Sequence, residues 1–130
     1  MGLQDNSASN NLKRLLKSFK YASSGLVQTS RMENNFQIEL IVAVVVIMLS
    51  VILNISKSDW LIVLMCIGLV LTMELLNTAV ETVVDLVTKG EYQSLAKVAK
   101  DCAAAAVLCI SITVCIIGLM IFIPYIVDLF

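Results

Sequence analysis

Three long apolar stretches separated by short polar segments dominate the pattern of this chain. They cover residues 36–55, residues 60 to about 87, and residues 102 to about 127. At about 1.5 Å of rise per residue, a helix through the first stretch is about 30 Å long, which is one hydrocarbon thickness of a bilayer. The other two stretches are long enough to tilt or to emerge into water. The pattern therefore predicts three transmembrane helices, at about residues 33–55, 60–88 and 98–127.

The segment before the first apolar stretch has a different pattern. Between residues 12 and 26, apolar side chains gather on one side of a helical wheel and basic side chains on the other. This arrangement is typical of an amphipathic helix in the headgroup region of a membrane. Two interpretations stay open: a simple membrane anchor, or a helix whose Arg14, Lys17 and Tyr21 also face an anionic soluble ligand. We predict a surface helix at about residues 12–30, after a disordered polar N-terminus at residues 1–11.

The composition agrees with a small integral membrane protein. Of the 130 residues, 59% are hydrophobic and 15% are charged, and the mean hydropathy is +0.94. Of the nine lysine and arginine residues, five precede the first apolar stretch and three lie between the second and third apolar stretches. By the positive-inside rule, the N-terminus and the second loop face the cytoplasm. We predict no nucleic-acid partner.

Four polar residues recur inside the second apolar stretch at spacings of three, four and four residues, namely Glu74, Asn77, Glu81 and Asp85. At about 100° per residue they fall within an arc of about 80°, and we call this face the polar stripe. An ionisable side chain near the bilayer centre costs about 2.5 to 3.5 kcal/mol, so such residues indicate ion paths, relays or reaction sites. Because the chain has no histidine, a hard-metal site must use oxygen ligands.

The depth of each polar residue follows from the span itself. If Trp60 marks the outer interface, about 20 residues reach the inner interface, so Glu81 and Asp85 lie there and Glu74 lies deeper. Glu33, just before the first span, reaches the level of Glu81 from the opposite chain direction. Mg²⁺ is typically held by one or two carboxylates together with phosphates. The residues alone leave three functions open: phosphoryl transfer to a lipid hydroxyl, a small oligomeric ion-conducting protein, or polar contacts that hold an oligomer together.

The sequence of the polar stripe, ELLNTAVETVVD at residues 74–85, is followed by Ala99, Lys100 and Asp101 before an alanine-rich third span. From about residue 12 to residue 124, the chain closely resembles the prokaryotic diacylglycerol kinase and undecaprenol kinase family. Residues 95–101 and the Trp60 span look like the Gram-positive-type branch, whose acceptor is mainly undecaprenol.

The resemblance implies an all-α homotrimer in the bacterial cytoplasmic membrane, with its active site on the cytoplasmic side. The implied activity is an ATP- and Mg²⁺-dependent lipid kinase. Undecaprenol is the favoured acceptor and diacylglycerol is the alternative. In this reading residues 12–130 form a single lipid kinase domain.

The resemblance also implies roles for individual residues. Glu74 matches the acceptor of the proton from the lipid hydroxyl, and Asn77 supports it. Glu33 and Glu81 match the carboxylates that hold magnesium with the nucleotide. Further nucleotide contacts are implied at Arg14, Tyr21, Glu91, Tyr92, Gln93, Lys100 and Asp101. Lipid contacts are implied at Tyr21, Ser24, Gly25, Arg31 and Asn35, together with Glu74. The chain departs from some relatives at Gln93, where they carry histidine, and at residues 103–106, where a glycine is often present.

Overall fold

The computed structural model describes residues 4–129, with side chains from residue 10 onward. In this range the chain forms four α-helices: α1 (Gln4–Met32), α2 (Asn34–Ile52), α3 (Lys57–Thr88) and α4 (Ser94–Val127). The helices divide into two compact units, one containing α1 and the other α2, α3 and α4. The last three are long and apolar enough to cross a membrane. This confirms the prediction of an all-helical chain with three such helices.

The first unit is a single helix of 29 residues. It begins at Gln4, within residues 1–11, for which the sequence predicts disorder, and residues 1–3 of that segment lie outside the described range. It also covers residues 12–30, whose location at a membrane surface stays a prediction. Its apolar side chains Leu12, Leu15, Leu16 and Phe19 are between 58% and 75% exposed. Arg31 lies in the last turn, where a cation interacts favourably with the helix dipole. The large apolar side chains of this stretch therefore do not form a protein core.

A tight reversal joins α2 to α3. Asn54 adopts the left-handed conformation with φ of 49°, which asparagine tolerates better than most residues. The Ile55 N–H donates to the Ser50 carbonyl at 3.3 Å, as expected when a left-handed residue ends a helix. Ser56 then caps α3, since its hydroxyl accepts a hydrogen bond from the Asp59 N–H at 3.2 Å. The reversal makes α2 and α3 antiparallel neighbours that pack against each other.

The far end of α4 is tied to this same reversal by Tyr125. The Tyr125 hydroxyl donates to Asp59 Oδ2 at 2.6 Å and accepts from the Ser56 N–H at 2.9 Å. The Ser56 hydroxyl also donates to Asp59 Oδ2, at 2.7 Å. Because the contact joins the C-terminal end of α4 to the N-terminal end of α3, it fixes the direction of α4 against α3. We call this set of three residues the tyrosine tie.

Replacing Tyr125 with phenylalanine is expected to lower the thermal midpoint of the protein in detergent. The variant leaves the Asp59 carboxylate and the Ser56 N–H without the hydroxyl that joins them to α4. Circular dichroism during heating measures the change. Tyr92→Phe is the matched control, because it removes the same hydroxyl from a ring that is 82% exposed. Equal shifts in the two variants would contradict the stabilising role of the tie.

The helix α3 is the central element of the second unit, since it packs against both α2 and α4. The core is small and consists of Phe36, Ala43, Ile55, Val63 and Cys66. With 32 residues, α3 is about 48 Å long, which exceeds the roughly 30 Å of hydrocarbon in a bilayer. Its C-terminal turns therefore extend beyond the apolar layer when its N-terminus lies at the opposite surface. Those turns carry the second half of the polar stripe.

Candidate active site

The four residues of the polar stripe lie along α3 with decreasing burial. Glu74 is only 2% exposed, Asn77 and Glu81 are half-buried, and Asp85 is exposed. The order of burial is the order of depth that the sequence predicts. A carboxylate as buried as Glu74 is costly in an apolar helix bundle. Its position therefore requires an explanation from its neighbours.

Three other carboxylates are within electrostatic range of Glu74. Glu81 lies about two turns further along α3, and Glu33 is the residue that caps the N-terminus of α2. Both are within electrostatic range of Glu74, and so is Glu39 in the second turn of α2. Because α2 and α3 are antiparallel, the start of α2 meets the C-terminal half of α3. We call Glu33, Glu39, Glu74 and Glu81 the acidic site.

Glu39 was not among the residues predicted from the sequence. It is the only charged residue of α2, and an isolated carboxylate in an apolar span is a signal that could have identified it. Its Oε2 atom is buried and has no hydrogen-bond partner in the described part of the chain, and the same is true of Asn77 Oδ1. Leaving a buried acceptor unpaired costs about 1 to 3 kcal/mol. The acidic site therefore has free acceptor capacity for a donor or a cation from a ligand.

Lys100, near the start of α4, provides positive charge at the exposed end of the polar stripe, where Asp85 lies. Its ammonium donates to Asp85 Oδ1 at 3.0 Å and to Asp85 Oδ2 at 3.2 Å. It is also within electrostatic range of Glu81. Asp101, the next residue, instead forms an exposed ion pair with Lys97 on the same helix. The structure thus joins Lys100, but not Asp101, to the polar stripe.

The other predicted nucleotide and lipid contacts of the second unit are exposed residues that do not belong to the acidic site. Glu91 and Tyr92 are exposed in the connection between α3 and α4, and Gln93 is the N-cap of α4 without a capping side-chain bond. Asn35 is exposed in the first turn of α2. The other five are exposed residues of the first unit and stay predictions: Arg14, Tyr21, Ser24, Gly25 and Arg31.

The side chains of the acidic site fit a hard divalent cation. Carboxylate oxygens are the ligands that Mg²⁺ prefers, and the repulsion among neighbouring carboxylates is relieved by a cation. Among the described residues, no group of three or more acidic or cysteine side chains is close enough to hold a metal ion by itself. A pair of carboxylates completed by phosphate oxygens is the usual arrangement for Mg²⁺. The assignment of such a pair to Glu33 and Glu81 stays a prediction.

Together, the fold and the site define a helical membrane protein with a buried carboxylate beneath a charged surface. Comparison with known families identifies which one. A family model described as prokaryotic diacylglycerol kinase matches residues 20–122. The chain therefore belongs to the prokaryotic diacylglycerol kinase family, as its sequence motifs predict.

Individual relatives agree with this assignment. The chain is 44% identical to the undecaprenol kinase of Bacillus subtilis (strain 168) over 115 residues, which cover 88% of this chain and 93% of the relative. It is 40% identical to a diacylglycerol kinase of Synechocystis over 110 residues, covering 85% of this chain and 63% of the relative. It is 35% identical to a diacylglycerol kinase of Haemophilus influenzae over 109 residues, which cover 84% of this chain and 89% of the relative.

Family membership decides between the functions that the polar stripe left open. The chain is a lipid kinase, and the prediction of an enzyme is confirmed. An ion-conducting protein and a purely structural bundle, the other interpretations of the same residues, are not favoured. The acidic site is accordingly the candidate site of phosphoryl transfer.

Proposed function

We propose that this protein transfers the γ-phosphoryl group of ATP to the hydroxyl group of a membrane lipid alcohol, with undecaprenol as the favoured acceptor. The observation that carries the proposal is the burial of Glu74, which is 2% exposed, next to three other carboxylates. A lipid hydroxyl at headgroup depth can reach such a group from the membrane side. A nucleotide can approach the exposed end of the polar stripe from water.

In the proposed reaction, Glu74 accepts the proton of the lipid hydroxyl. The lipid oxygen forms a bond to the γ-phosphorus while the bond between that phosphorus and its bridging oxygen breaks. The products are a lipid phosphate and ADP, and the proton rests on Glu74. Carboxylates serve as general bases of this kind, and proton transfer by a positioned side chain contributes about 10²- to 10⁴-fold to rate. Asn77, half-buried about one turn away, is proposed to support Glu74 through its amide.

Positioning and charge neutralisation provide most of the catalysis in phosphoryl transfer. Lys100 is within electrostatic range of Glu81, and its ammonium is proposed to contact phosphate oxygens of ATP. Nucleotide contacts are also proposed for Asp101 near the start of α4 and for Glu91, Tyr92 and Gln93 in the α3–α4 connection. Arg14 and Tyr21 of α1 complete the proposed set.

Mg²⁺ is the proposed cofactor, with Glu33 and Glu81 as its protein ligands. When bound, the ion neutralises phosphate charge and orients the phosphates. In this proposal Glu33 and Glu81 hold the ion close to Glu74, which accepts the proton of the lipid hydroxyl. Glu39, which is within electrostatic range of Glu74, offers a further carboxylate to the site.

The choice of acceptor rests on the relatives. A protein named undecaprenol kinase is 44% identical to this chain over 93% of its own length. The diacylglycerol kinases of Synechocystis and Haemophilus influenzae are 40% and 35% identical to it. Diacylglycerol is the alternative acceptor, because its hydroxyl lies at a similar depth. The lipid is proposed to contact Tyr21, Ser24, Gly25, Arg31 and Asn35 in addition to Glu74.

The membrane arrangement is also part of the proposal. The distribution of basic residues favours a cytoplasmic N-terminus and a cytoplasmic α3–α4 connection in the bacterial inner membrane. The helix α1 is proposed to lie on that surface, with the apolar side chains at residues 12, 15, 16 and 19 toward the lipid. The family resemblance favours a homotrimer.

Purified protein in mixed micelles with labelled ATP and Mg²⁺ tests the function directly. Undecaprenol and diacylglycerol are offered together at equal mole fraction, and the labelled lipids are separated. We expect label in both products, with undecaprenyl phosphate in excess. Replacing ATP by other nucleoside triphosphates tests the donor, and removing Mg²⁺ with a chelator is expected to abolish labelling. An excess of phosphatidic acid would assign the alternative acceptor, and the absence of label from both lipids would contradict lipid alcohols of this class.

A further inference from the structure

The ion pair between Asp85 and Lys100 joins the end of α3 to the start of α4. Both oxygens of the carboxylate accept from the same ammonium, at 3.0 Å and 3.2 Å. The residues are 15 positions apart and lie in different helices, so the pair depends on the packing of α3 against α4. Asp101 is adjacent to Lys100 in the chain but pairs with Lys97 instead. The ammonium of Lys100 is therefore directed toward α3.

The position of Asp85 on α3 determines where that ammonium lies. Asp85 follows Glu81 by four residues, so the two side chains are neighbours on one helix face. Lys100 is within electrostatic range of both. Without a partner, the flexible four-carbon stem of lysine samples many rotamers. Asp85 restricts the ammonium to the side of α3 that carries the proposed magnesium ligand.

An ammonium held in this way is still able to bind a ligand. It has three N–H donors, and the two oxygens of Asp85 engage at most two of them. The side chains of Lys100 and Asp85 are 36% and 60% exposed, so a water-soluble anion can reach the pair. Exposed ion pairs are weak, and the carboxylate therefore orders the lysine without withholding it from a phosphate.

We propose that Asp85 is a positioning residue for phosphoryl transfer, holding the Lys100 ammonium beside Glu81 before the nucleotide binds. Asp85 acts through Lys100 and touches neither the phosphates nor the lipid. The inference rests on the proposed function, which assigns Lys100 to the phosphates of ATP. It gives a role to the member of the polar stripe that the sequence left without one.

The test is a mutant cycle on the full-length protein in mixed micelles, with ATP varied at saturating lipid and excess Mg²⁺. Asp85→Asn is expected to raise the KM for ATP about two- to fivefold, the range that an exposed ion pair contributes. The kcat is expected to change little, because ordering the lysine improves binding of the ground state and the transition state equally. Asp85→Glu keeps the negative charge and is expected to recover most of the affinity.

The second half of the cycle shows whether Asp85 acts through the lysine. Lys100→Met is expected to raise the KM for ATP by itself, and adding Asp85→Asn to this variant is expected to raise it no further. Asp128→Asn is the matched control, because it removes a carboxylate at the opposite end of α4, and its KM is expected to equal that of the parent. Size-exclusion profiles verify that each variant is folded, and Asp85→Ser replaces Asp85→Asn if the latter aggregates.

A further increase in KM when Asp85→Asn is added to Lys100→Met overturns the positioning role, because Asp85 then acts without the lysine. An increased KM in Lys100→Met with an unchanged KM in Asp85→Asn overturns the positioning role alone and leaves the proposed function intact. A lower KM in Asp85→Asn overturns it as well, since the carboxylate then competes with phosphate for the lysine. An unchanged KM in Lys100→Met would show that Lys100 does not contact the phosphates of ATP. That result would contradict both the positioning role of Asp85 and this part of the proposed function.

Discussion

Glu74→Gln is expected to reduce lipid phosphorylation by about 10²- to 10⁴-fold, the contribution of a positioned general base. The substitution keeps the size of a side chain that is 2% exposed and removes its capacity to accept the proton. Nucleotide binding is expected to persist, because Glu74 is the deepest member of the polar stripe and lies away from the exposed end where Lys100 is found. The measurements are the initial rate of lipid labelling and the binding of a fluorescent ATP analogue.

Two further variants make this result specific. Glu74→Asp keeps the carboxylate on a shorter side chain and is expected to retain more activity than Glu74→Gln. Asp128→Asn also replaces a carboxylate by an amide, at the C-terminal end of α4 and away from the acidic site, and it is expected to keep the parental rate. A folded Glu74→Gln protein with full activity would remove Glu74 as the base, and Glu39, its carboxylate neighbour on α2, would be the next candidate.

Glu81→Gln is expected to lower turnover at least about 100-fold at a fixed Mg²⁺ concentration, because it removes a charged ligand from the proposed electrostatic clamp on the phosphates. Its distinguishing feature is the metal dependence. The Mg²⁺ concentration for half-maximal rate is expected to rise, whereas Glu74→Gln leaves it nearly unchanged. Titrating Mg²⁺ at constant free ATP measures this difference.

Glu33→Gln tests the same site from the other helix. It is expected to reproduce the increased Mg²⁺ requirement, since Glu33 and Glu81 approach Glu74 from different elements. If both variants need no more Mg²⁺ than the parent, the metal is not held by these carboxylates. A change in only one of them would indicate a single protein ligand, with phosphates and water completing the coordination of the ion.

The candidate site shows which of its parts could be predicted from local pattern. Glu74, Asn77, Glu81 and Asp85 lie on one helix, so their periodicity alone places them on one face. Glu33 was predictable because it precedes the first span, and the short reversal between the first two spans returns the chain to the membrane surface where Glu81 lies. Glu39 was not predicted, since its relation to Glu74 is a contact between two helices and depends on how α2 rotates against α3.

The sequence by itself determined the three apolar helices, the polar face of α3 and the order of depth along it. These follow from hydrophobicity and helical period, which act over neighbouring residues. The motif of the polar stripe also identified the family, which the comparisons confirm. Only the tertiary structure decided that Glu39 joins the acidic site, that Lys100 pairs with Asp85 while Asp101 pairs with Lys97, and that Tyr125 ties α4 to the α2–α3 reversal. Most of these contacts join residues that are distant in the chain. The Lys97–Asp101 pair follows the i,i+4 spacing of a helix, whereas the pairing of Lys100 with Asp85, 15 residues away, depends on how α3 packs against α4, which no local pattern encodes.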